Sequence, residues 1–150
     1  MNKTTLRDLL DKERATEYAT RAGNEMHLRL QCVSLSAPRA KDAELIARIN
    51  ACPGLADFFA AHSRAEVPVA GTVNGRFISR RIDRMIIDDA HKTIRILDYK
   101  TDVNRTALRA KYIAQLAEYV ALMRRIYPGY GIETYILWLH DWTLEKISAE

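Results

Sequence analysis

The sequence predicts a single α/β domain, with helices first, a mixed sheet next and one long helix ahead of the last strand. Three observations carry this. Helix-like segments occupy the first sixty or so residues, β-branched runs dominate residues 77–101, and an apolar stripe at spacings of three and four marks residues 107–127. With 150 residues, 48% of them hydrophobic, the chain is long enough to bury a core as one domain.

Residues 2–35 read as helix, interrupted near Gly23, with Leu6, Leu9, Leu10 and Tyr18 on the apolar side. Ser36-Ala37-Pro38 breaks it, residues 42–50 form a second helix, and Cys52-Pro53-Gly54 precedes a short third one through Ala61. Residues 77–87 form a strand with Ile78, Ile82 and Ile86 on one side and Asp83 on the other. Asp88-Asp89-Ala90-His91-Lys92 is turn-like and joins it to the strand over residues 94–101 as a hairpin. After a polar stretch to Thr106, a helix over residues 107–127 presents Leu108, Tyr112, Leu116, Tyr119, Val120, Met123 and Tyr127 to the core. Pro128-Gly129 stops it, and residues 134–139 read as a buried strand.

The chemistry-bearing residues lie on this hairpin. In a strand, Asp98 and Lys100 emerge on one face about 7 Å apart and Tyr99 points away. A twist or bulge in the register can bring Asp83 beside Asp98, since paired Cβ atoms lie about 5 Å apart. Two such carboxylates repel unless a cation sits between them, and oxygen ligands suit a hard cation. Lys100 can then polarise a water or neutralise charge on a phosphate. The plain alternatives stay open: Asp98 and Lys100 as a solvated pair, and Asp83 ion-paired with Arg81 or Arg84. Gln115 and Tyr119, on the same side as Tyr112, can orient Lys100 or contact a phosphate, or simply pack.

Composition bounds the rest. There are 23 basic against 19 acidic residues, a net charge of +4 and a pI near 9.2, which is compatible with a polyanionic partner. Arg76, Arg80, Arg81, Arg84 and Lys92, or Arg105, Arg109, Lys111, Arg124 and Arg125, can contact phosphates or form solvated faces. Cys32 and Cys52 are too few for a four-cysteine zinc or iron-sulfur site, so no iron-sulfur cluster is expected. Neither a secretory leader nor a run of eighteen apolar residues occurs, which makes a reducing cytoplasm the expectation, with no membrane partner. No G-x-x-x-x-G-K-[ST] phosphate loop is present, which excludes an ATPase motor of that class within these residues. His62, His91 and His140 lack ligand-like spacing.

Five blocks in order carry a family resemblance. They are Gly23-(x)3-His27-(x)2-Leu30, Glu66-Val67-Pro68, Arg81-Ile82-Asp83-Arg84, Leu97-Asp98-Tyr99-Lys100-Thr101-Asp102, and Tyr112-(x)2-Gln115-Leu116-(x)2-Tyr119. Over about residues 20–147 the chain resembles the RecB-type nuclease domain of the PD-(D/E)XK superfamily, and within it the C-terminal nuclease domain of the AddA subunit of AddAB helicase-nucleases. The resemblance implies a restriction-endonuclease-like fold and a Mg²⁺- or Mn²⁺-dependent deoxyribonuclease leaving a 5′-phosphate and a 3′-hydroxyl. It implies that His27, Asp83, Asp98 and the carbonyl of Tyr99 bind metal, that Lys100 is the catalytic lysine, and that Gln115 and Tyr119 belong to the motif that follows. Glu66 matches an acidic position, whereas Arg81 stands two residues before Asp83, where the family pattern usually has glycine. The implied partners are DNA and, in a larger double-strand-break repair machine, a helicase domain and an AddB-like subunit. A nucleic-acid-binding module of the same fold without turnover is the alternative.

Overall fold

The computed structural model describes residues 5–6 and 25–147. Five strands, β1 (Ser63–Val73), β2 (Arg76–Asp88), β3 (Thr93–Lys100), β4 (Gly131–Trp138) and β5 (Thr143–Ile147), form one sheet in the order β1-β2-β3-β4-β5. Only β3 and β4 are parallel. A parallel pair needs a crossover, and the 22-residue helix α3 (Arg105–Ile126) supplies it. Residues 25–31 form helix α1, and α2 spans Ala43–Ala51, with 3-10 turns at Ala40–Asp42 and Ala56–Phe59.

The sheet is covered on both faces, as the alternation of its strands requires. On one face α3 lays Tyr112, Leu116, Tyr119, Val120, Leu122 and Met123 inward, over Ile82, Met85, Ile94, Ile96, Ile136 and Trp138. On the other, Leu30, Leu45, Ile49, Leu55, Phe58 and Phe59 cover Ile86, Leu97, Tyr99 and Leu137. The restriction-endonuclease-like α/β sandwich anticipated from the sequence is therefore the fold observed.

Tight geometry sets the β1–β2 hairpin. Asn74 and Gly75 both take positive φ, 50° and 77°, which a two-residue turn between right-twisted strands demands. At Gly71 a Cβ would stand 2.7 Å from Leu122 Cδ2, so any larger residue there has to displace the buried end of the Leu122 side chain. Gly71→Val is expected to destabilise the fold by about 1–3 kcal/mol through overpacking, read as a lower denaturation midpoint in urea.

Three readings of the sequence are corrected. The first helix stops at residue 31, not 35, where Ser34, Ser36 and Pro38 favour turns and a guanidinium caps the open carbonyls; most of its earlier part, with Leu9, Leu10 and Tyr18, lies outside the described residues. β5 extends the sheet past what the sequence showed as its last strand: five residues with only Ile147 fully buried give too short a period. Ile86 does not share a side with Ile78 and Ile82, for a reason that concerns the site. Among the described residues no helix is long and apolar enough to cross a membrane.

Candidate active site

The loss of alternation in β2 builds the site. Ile82 and Met85, three residues apart, lie on the same α3-facing side, which strict period-two alternation forbids. The odd residue is Asp83. Its Oδ2 accepts a 2.7 Å hydrogen bond from the backbone N–H of Tyr99, so the carboxylate lies along the sheet, in the place of a strand partner. Arg84 pairs with Leu97, and the same register one step on sets Asp83 opposite Asp98. The juxtaposition expected from the hairpin is thus present.

Asp98 and Lys100 do share the α3 side. Lys100 Nζ stands 2.9 Å from Asp98 Oδ2 and donates to Gln115 Oε1 at 3.0 Å. Gln115 Nε2 in turn donates to the Tyr119 hydroxyl at 3.0 Å, and that hydroxyl approaches the Arg81 carbonyl at 3.5 Å. The Lys100 ammonium also lies 4.3 Å over the Tyr112 ring, whose hydroxyl donates to Asp102. Gln115 and Tyr119 are one helical turn apart on α3, so a single helix face holds the ammonium in place. A cavity of about 480 Å³ opens beside it, lined by Arg80, Lys100, Lys111, Tyr112, Gln115 and Glu118.

His27 arrives from the other side. Its Nε2 is 3.5 Å from Asp83 Oδ2, and its ring meets that of Tyr99 edge-on at 5.4 Å. Tyr99 is itself stacked on Phe59. Because the Tyr99 N–H points at Asp83, its carbonyl is directed to the same edge of β3. Glu66 sits in the same cross-strand row, at the position of β1 that the register sets against Asp83, with φ of 51°. Burial and the charge of Asp83 push its carboxyl above the usual range.

The carboxylate pair is electrostatically unbalanced. Burial, opposed by Lys100 and reinforced by Asp83, pushes Asp98 up to about 7. Burial works on Asp83 as well, but hydrogen bonds from His27, from the Asp98 carboxyl and from the Tyr99 N–H outweigh it and hold Asp83 below its ordinary value. Below neutrality, then, one proton is shared by the pair and resides chiefly on Asp98. Asp98 Oδ2 is buried with the Lys100 ammonium 2.9 Å away. Two buried carboxylates on neighbouring strands, with one ammonium between them and solvent, are a donor set that fits a hard divalent cation. Among the described residues no three His, Cys, Asp or Glu side chains enclose such a cation by themselves. Main-chain oxygen, water or phosphate oxygens would complete its shell, as suits Mg²⁺.

The two arginines nearest Asp83 in β2 have different surroundings, and only Arg84 departs from its reading in the sequence. Arg81 is exposed and its side of the strand is the one facing away from α3, so it does not fill the Lys100 cavity. Arg84, read as a phosphate contact or a partner for Asp83, is 4% exposed and bonds backbone carbonyls instead. A signal for its burial lies in the apolar Met85-Ile86-Ile87 that follows it, where a solvated charge would interrupt the core.

The sequence profile of the PD-(D/E)XK nuclease superfamily matches residues 4–141. No curated protein sequence matches the chain.

Proposed function

The chain belongs to the PD-(D/E)XK nuclease superfamily, and on that footing we propose that it hydrolyses phosphodiester bonds of DNA with Mg²⁺ or Mn²⁺ as cofactor. The observation that carries this is the buried Asp83–Asp98 pair sharing one proton beside the Lys100 ammonium. Asp83, Asp98, the Tyr99 carbonyl and His27 would hold the cation. When bound, it would supply Lewis-acid stabilisation of charge on the phosphate. Lys100, held by Gln115 and the Tyr112 ring, orients the attacking water and offsets negative charge on the phosphate oxygens. Water adds to phosphorus, the bond to the 3′ oxygen breaks, and that oxygen takes up a proton, leaving a 5′-phosphate and a 3′-hydroxyl.

Purified protein is expected to cleave DNA with Mg²⁺ or Mn²⁺ and not in EDTA, and Asp83→Ala to remove that cleavage. Equal cleavage by the variant would overturn the assignment. Gln115→Leu is expected to slow cleavage about tenfold with little change in DNA affinity, because it frees the ammonium without removing it; single-turnover rates beside binding isotherms check this.

The order of the five sequence blocks supports a finer reading: an AddA-like nuclease domain that works beside a helicase and an AddB-like partner in double-strand-break repair, in the cytoplasm. Co-purification with such partners tests it. One observation favours a second reading, a DNA-binding module without turnover: no three ligating side chains converge among the described residues. DNA binding that persists in EDTA, with no cleavage under any metal, would establish that reading.

A further inference from the structure

We propose that Arg84 is a positioning residue that fixes His27 over Asp83, a role that rests on the nuclease reading. Its Nη2, which carries two N–H groups, donates to the carbonyls of Leu30 and Val33 at 2.8 Å each, and the Gln31 carbonyl at 3.2 Å shares one of those hydrogens. These belong to the end of α1 and the residues just after it, where the helix dipole favours a cation; the Leu30 carbonyl also accepts from the Val33 N–H at 3.2 Å. Leu30 and Gln31 stand three and four residues after His27, on the same helix face. Holding their carbonyls therefore sets the rotation and height of the imidazole.

The other end of the clamp is the site itself. Arg84 follows Asp83 directly in β2, so the residue that grips α1 and the carboxylate that meets His27 share one strand backbone. The guanidinium also lies 4.5 Å over the Phe59 ring, against which Tyr99 stacks. Among the described residues no carboxylate forms an ion pair with it, and its Nε and the Tyr99 hydroxyl are both buried without a completed hydrogen bond. A buried cation solvated by carbonyl dipoles and a ring face is a costly filler, where methionine would pack without that penalty. What methionine lacks is the donor: a single nitrogen at the far end of the arginine, Nη2, meets all three carbonyls.

Arg84→Lys and Arg84→Gln test this against His27→Ala. In the metal-free protein, the His27 ring-proton NMR shifts carry the ring current of Tyr99, and both Arg84 variants are expected to move them toward free-imidazole positions. The Mn²⁺ concentration for half-maximal cleavage should rise about tenfold, with turnover at saturating metal within about threefold of the parent. Added to His27→Ala, Arg84→Lys should change the metal requirement by less than about twofold, because the residue it aims is already gone. Unchanged His27 shifts, or a full tenfold effect in the His27→Ala background, would overturn the proposal. So would loss of the fold in both Arg84 variants, since the residue would then support the domain rather than aim one side chain. If the parent cleaves nothing with any metal, the nuclease reading fails, while the NMR shifts still decide the role of Arg84.

Discussion

Lys100→Met is expected to slow metal-dependent DNA cleavage by about 10²–10⁴-fold with the fold intact. The aliphatic part of lysine is replaced nearly volume for volume, so packing against Tyr112 survives. What goes is the ammonium, 2.9 Å from Asp98 and 3.0 Å from Gln115, and nothing else among the cavity's lining takes that position. Its loss also removes the charge that lowers Asp98, so the carboxyl holds its proton more tightly and demands more metal. The comparison therefore belongs at saturating metal, as a single-turnover rate beside DNA affinity. A rate unchanged there would remove Lys100 from the chemistry and return it to the role of a buried counter-ion.

Asp98→Asn separates stability from activity. In the metal-free protein the Asp98 carboxyl titrates at about 7 against an ordinary value of 3.8. The folded state thus binds more protons than the unfolded state between those values. Its contribution to stability is fully present below about 3.8 and is lost as pH rises through about 7. Asparagine cannot ionise, so the variant in EDTA should lose this decline and exceed the parent in stability at pH 8. Cleavage should fall by about 10³-fold, equivalent to several kcal/mol of transition-state stabilisation. Urea denaturation in EDTA at pH 5.5 and pH 8 reads the first effect. A parent and a variant with the same pH slope would show that the shared proton does not reside on Asp98.

Much of this site was legible in the sequence because its parts obey local periods. The Asp98 and Lys100 side follows from strand alternation alone, and Gln115 and Tyr119 follow from one turn of α3. The hairpin loop fixes which strands are neighbours, and so which second carboxylate is within reach. What stayed hidden depends on tertiary partners. Asp83 leaves alternation only because the Tyr99 N–H holds its carboxylate along the sheet, and no pattern in β2 encodes a donor in β3. The partners of Arg84 stayed hidden because they are carbonyls fifty or more residues away, and carbonyls leave no trace in residue type. β5 escaped because a five-residue edge strand exposes one face and shows barely one period.

β2 keeps step with β1 along its whole outer half, yet it parts from β3 at Arg84 and Leu97. Continued, the same register would set Ile82 against Tyr99 and Arg81 against Lys100, closing backbone to backbone beside the Asp98 and Lys100 side chains. The Asp83 carboxylate prevents this by taking the Tyr99 N–H for itself. The aspartate is thus a wedge as well as a buried charge, and the sheet around it is a zipper stopped three teeth short. Small apolar residues at position 83 would do more than delete an oxygen donor: they would let the strands finish closing, and a tighter, more complete sheet would be the form of the protein with no entrance.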